Sequence, residues 1–186
     1  MSGPSTLVLA RAAVPTARAV RWAPGASLAI LLLAVAALSR STQRPADIVL
    51  AIAAASLAAA VVSGLHDPAA ALLSAVPVSA MQRRMLRLAL LGVPALTVWW
   101  LLEALTTATL SGPGPLLALT ACGVAVALWA PPRRAVLLGA STPVALFVAH
   151  QAVPAGTVSD VVARWQSDPW WVLAGAILVC VAGRHR

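Results

Sequence analysis

Six long apolar stretches, divided by short polar breaks, govern what this chain can fold into. They run from about Trp22 to Leu38, Asp47 to Leu65, Leu86 to Thr106, Pro115 to Ala130, Ala135 to Val153 and Trp170 to Ala182. A membrane-crossing helix needs about 20 mostly apolar residues, with roughly 17 as the lower bound. The first, fourth and sixth stretches are short, which implies tilting or local thinning of the bilayer. Lipid supplies no hydrogen-bond partner for the backbone, so each stretch is expected to be a helix. The abundance of alanine, glycine and leucine favours helices over barrel strands as well. The reading is an all-α, polytopic membrane protein with six transmembrane helices.

Composition agrees. Hydrophobic residues make up 61% of the chain and charged residues 10%, where a soluble domain is nearer half apolar and a quarter charged. This excludes a disordered chain, a coiled coil and an ordinary soluble enzyme. The net charge of +8 is not read as a nucleic-acid footprint. All thirteen cations are arginines, set in small groups between the apolar runs, and that is how membrane topology is written.

With the N-terminus in the cytoplasm, Arg11, Arg18, Arg21, Arg83, Arg84, Arg87, Arg133, Arg134, Arg184 and Arg186 lie inside. Only Arg40, Arg44 and Arg164 lie outside. The positive-inside bias therefore puts both termini in the cytoplasm and makes this a multi-pass protein of the cell membrane. Trp99, Trp100, Trp170 and Trp171 fall on the outer side, Trp22 and Trp129 on the inner side. They are expected to anchor the spans at the headgroup layer.

Three regions follow: a basic N-terminal segment over residues 1–21, a six-helix domain over 22–186, and within it a cytoplasmic loop over 66–85. Arg11 and Arg18 stand on nearly one helical face, so the first segment fits either an interfacial helix bent at Pro15 or a basic tail. No convincing cleavage site for a secretory signal follows it.

The loop is the most informative stretch. Asp67 then Pro68 is a helix-start pattern, an N-cap acceptor followed by proline at the first helical position. A short helix over Pro68–Ala75 carries Leu72 and Leu73. Pro77 ends it and biases Val76 to an extended shape. A new helix beginning near Ser79 then carries Arg83, Arg84 and Arg87 into the membrane. The run Asp-Pro-x-x-x-Leu-Leu-x-x-x-Pro followed by an arginine cluster resembles the corresponding loop of bacterial ABC exporter permeases of the type-two class, actinobacterial members most of all. The resemblance implies a permease subunit with a coupling helix between its second and third spans. That helix docks on a separate ATP-binding subunit, through Asp67, Pro68, Leu72, Leu73, Pro77, Arg83, Arg84 and Arg87. It also implies a second membrane subunit or a homodimer; the apolar bundle suits an amphipathic or lipid-like substrate, which no residue specifies. The chain departs from the family between the fifth and sixth spans. Residues 154–169 offer one interfacial helix, around Ser159–Gln166, in place of a re-entrant pair. There Asp160 and Arg164 are spaced to pair, and Val161, Val162 and Trp165 to face lipid.

Several chemistries are excluded. A phosphate-cradling P-loop requires lysine, and the sequence contains none, so ATP hydrolysis belongs to a partner and no enzyme activity is expected here. No cofactor or metal is expected: His66, His150 and His185 are far apart in the topology. Cys122 and Cys180 lie inside apolar runs with no ligand spacing. Ser141 and His150 share one helix, with about 13 Å of rise between them, too far for a catalytic dyad. Glu103 is the one intramembrane acid and is expected to reach the interface. Thr97, Thr106, Thr120, Ser141 and Thr142 are candidates for bonds across helices. The alanine-rich second span is expected to pack closely, and Pro94 and Pro143 to kink their helices. The competing reading is a small six-helix scaffold or assembly subunit of another membrane complex, with no transport path of its own.

Overall fold

The computed structural model describes residues 22–42, 46–65, 80–106, 112–154 and 156–183. Every element among them is helical: α1 (Trp22–Thr42), α2 (Ala46–Gly64), α3 (Ala80–Leu105), α4 (Gly114–Trp129), α5 (Ala135–Ala152), α6 (Thr157–Ser167) and α7 (Pro169–Gly183). The helix starts and ends fall within a few residues of the apolar runs, except at α3. It begins at Ala80, so one continuous helix carries the arginines and the span. Asp47 sits inside the first turn of α2, where its charge complements the helix dipole.

Four helices are long and apolar enough to cross a membrane: α1, α2, α3 and α5. α4 and α7 are as apolar but shorter, 16 and 15 residues, about 24 and 22 Å of rise. The outer faces are strongly apolar. Ile30, Leu38, Leu137 and Leu178 are each 67–70% exposed. A water-soluble monomer does not expose apolar side chains on every outer helix face. The length of the helices and the apolarity of their outer faces together make this a membrane-embedded protein.

Two helices organise the bundle. α2 packs on α1, α3, α4 and α5, and α4 packs on α2, α5, α6 and α7. Lipid is as apolar as leucine, so helices in a membrane associate through close packing, which small residues permit. α2 meets that requirement with Ala51, Ala53, Ala54, Ala55 and Ala58, all buried.

The tightest seam joins α4, α5 and the end of α2. A methyl group on Gly123 would stand 2.7 Å from the Gly139 carbonyl oxygen, and one on Gly139 would stand 2.8 Å from that of Gly123. The Val62 side chain closes on both glycines. Pro143 helps to explain this. It has no N–H to give the Gly139 carbonyl one turn earlier, and that carbonyl lies at the contact with Gly123.

Relative direction follows from such contacts. Gly114 abuts Pro169 at one end of α4, and Trp129 abuts Gly183 at the other, so α4 and α7 run parallel. Gly64 abuts Leu91, which brings the end of α2 to the N-terminal half of α3. One end of the bundle therefore collects the arginine-bearing start of α3 and the α4–α5 turn with Arg133 and Arg134. The opposite end collects the C-terminus of α3, residue 112, α6 and Arg164. The segments 1–21 and 66–79, with the readings made on them, lie outside the described residues.

Candidate functional site

The loop expected to dock a partner can be followed only in part. Asp67, Pro68, Leu72, Leu73 and Pro77 lie outside the described residues. Arg83 and Arg84 belong to the first turns of α3. Arg87, one turn further, is buried, 7% exposed.

The far end of α3 is tied to the next helix. The Trp99 Nε1 donates to the Gly112 carbonyl oxygen at 3.2 Å, and the Gly112 N–H donates to the Glu103 carboxylate at 2.6 Å. Gly112 has φ +84°, a left-handed conformation that glycine adopts without steric cost. Trp99 is fully buried. The sequence expectation that it anchors at the headgroups is corrected: its indole finds a backbone carbonyl inside the protein. Trp100, on the other face, is 54% exposed. Glu103 likewise holds a backbone N–H.

The hydroxyl groups do not bond across helices as expected. Thr97 donates to Val93 O, Thr106 to Leu102 O, Thr120 to Leu116 O, and both Ser141 and Thr142 to Leu138 O. Each takes a carbonyl three or four residues back on its own helix, a partner always within reach. No polar path runs between the described helices through these groups.

α6 differs from its expected placement. Trp165 does not face lipid but is buried, 2% exposed, with its ring edge-on to His150 at 6.2 Å. Neither the Trp165 Nε1 nor the His150 Nδ1 has a hydrogen-bond partner among the described residues. Val158 and Val161 remain outward, 66% and 62% exposed. Asp160 and Arg164 are exposed and form no ion pair with each other, because in water the Coulomb gain is small against the entropy of fixing two side chains.

Among the described residues, no three His, Cys, Asp or Glu side chains are grouped to hold a metal ion. Cys122 and Cys180 are free thiols.

A cleft lies between α5 and α7 over α4, with a volume of about 460 Å³. Cys122 and Val126 floor it, Leu146 lines one wall, and Gly175 and Val179 line the other. Trp129 lies at one end, its Nε1 donating to the Val179 carbonyl at 3.1 Å. Periodicity along single helices could not reveal this cleft, which is made by three helices. No protein family, curated protein or solved structure matches the chain. Fold and site define it as an all-helical, membrane-embedded protein.

Proposed function

We propose that this chain is the integral membrane subunit of an ABC-type exporter of the bacterial inner membrane, with six spans and both termini in the cytoplasm. It couples to a separate ATP-binding subunit through the 66–87 segment and works beside a second membrane subunit or a second copy. The parallel packing of α4 and α7 from Gly114–Pro169 to Trp129–Gly183 supports counting both short helices as spans. The gathering of Arg133 and Arg134 at the end where α3 starts supports that end as the cytoplasmic one.

The observation that carries the reading is α3. Its 26 residues reach about 39 Å, against roughly 30 Å of hydrocarbon, so about two turns project beyond the apolar layer. Trp99 and Glu103 fasten the opposite end to Gly112, and α3 packs mainly on α1 and α2. A long peripheral helix, fixed at one end and basic at the other, is suited to act as a lever. ATP-driven closure of two ATPase subunits would push on the loop carrying Leu72 and Leu73, and α3 would pass that motion to the start of α4.

A specific observation favours the scaffold reading: hydroxyls satisfied within their own helices and a closed α2–α4–α5 seam give no polar route through the described bundle. Purification in gentle detergent separates the two. The exporter reading expects an ATP-binding subunit to co-purify with the wild type and to be lost in Leu72→Asp, with membrane insertion unchanged. Co-purification of other membrane proteins without an ATPase would favour the scaffold.

A further inference from the structure

The cleft over α4 points to a specific interaction with the bilayer. Its lining is apolar apart from Cys122 and Thr142, and it is open rather than enclosed. A volume of about 460 Å³ lies in the range of small-molecule sites. Cys122 and Trp129 are two helical turns apart, about 10 Å, so the cleft runs along that much of α4. An open apolar groove of that length accommodates a flexible hydrocarbon chain.

Charge says which end the headgroup takes. Beyond Trp129 the chain turns and enters α5 at Ala135, and Arg133 and Arg134 are exposed in that turn. The acidic side chains among the described residues, Asp47, Glu103, Asp160 and Asp168, all stand toward the opposite end of the bundle. No described residue pairs with either arginine. The Trp129 indole, at the same end, belongs to the residue type enriched at headgroup level.

We propose that the cleft holds one acyl chain of an anionic phospholipid, with its phosphate bound by Arg133 and Arg134. The site requires membrane embedding alone and is independent of the coupling reading.

The test uses the full-length protein, equilibrated in mixed micelles containing equal amounts of phosphatidylglycerol and phosphatidylcholine with identical acyl chains. Native mass spectrometry then counts the retained lipids. One phosphatidylglycerol per chain is expected, preferred about thirtyfold, the size expected for two arginines near an anionic headgroup. The double variant Arg133→Gln/Arg134→Gln should lose that preference. Gly175→Leu should lose the bound lipid, because a Cβ at Gly175 meets nothing within 4 Å and the larger side chain fills the cleft. Val179→Phe is a second filling variant, and helix content by circular dichroism shows that each folds. Gly92→Leu, which also points into open space but lies on α3, should retain the lipid. Equal retention of the two lipids by the wild type, unchanged retention in both filling variants, or a lipid-free dimer seated through α5 and α7 would each overturn the proposal.

Discussion

Trp99 and Glu103, one turn apart on α3, hold the two polar groups of a single residue: the indole takes the Gly112 carbonyl and the carboxylate takes its N–H. One helix thereby fixes the start of another through a left-handed glycine. Glu103→Ala removes the acceptor of a part-buried backbone donor, and hydrogen bonds to charged groups contribute about 1.5–3 kcal/mol. Glu103→Gln should recover part of that loss. Gly112→Ala forces a Cβ into the left-handed region at about 1–2 kcal/mol. Chemical unfolding in mixed micelles should rank both Ala variants below Glu103→Gln. A wild-type midpoint in Glu103→Ala would show that the clamp contributes nothing.

The Gly123–Gly139 seam should be intolerant of any added carbon. Gly123→Ala and Gly139→Ala each place a methyl group against backbone, and overpacking typically costs about 1–3 kcal/mol. Gly25→Ala, on α1 with open space around it, should be neutral or slightly stabilising, because alanine is the better helix former by up to about 1 kcal/mol. Thermal unfolding of the three variants checks the contrast.

Trp165 offers a sharper test of α6. Its ring is buried but its Nε1 has no partner, so Trp165→Phe should cost little beyond the lost volume, while Trp165→Ala should cost about 3–5 kcal/mol. Val158→Ser and Val161→Ser, on the outer face, should leave the unfolding midpoint within about 0.5 kcal/mol of wild type. Comparable losses from Trp165→Phe and Trp165→Ala would reveal a hydrogen bond to the indole.

The helices were legible in the sequence because burial in lipid demands long apolar runs, and those runs locate α1 to α5 and α7 to within a few residues, apart from the start of α3. α6 was legible from its mixed pattern around Ser159–Gln166. The roles of individual polar groups were not. A tryptophan near the end of an apolar run fits a headgroup anchor and a core residue equally well, and Trp99 and Trp165 both proved to be core residues. A threonine in a span fits a cross-helix bond or a bond to its own helix, and only packing decides. Clefts made by helices distant in sequence, such as that between Leu146 and Val179, leave no periodic trace at all. Arg83, Arg84, Arg133 and Arg134 did carry a long-range signal, because charge repeated at every second break marks one end of the bundle.

The six-span topology, with the arginine-bearing end in the cytoplasm, underlies the coupling reading, and thiol labelling in intact cells tests it most directly. In a Cys122→Ala/Cys180→Ala background, single Val158→Cys, Arg133→Cys and Arg186→Cys variants would be exposed to a membrane-impermeant maleimide. Labelling of Val158→Cys alone, with the other two reacting only after permeabilisation, is the expected result. Labelling of Arg133→Cys or Arg186→Cys in intact cells would contradict the topology.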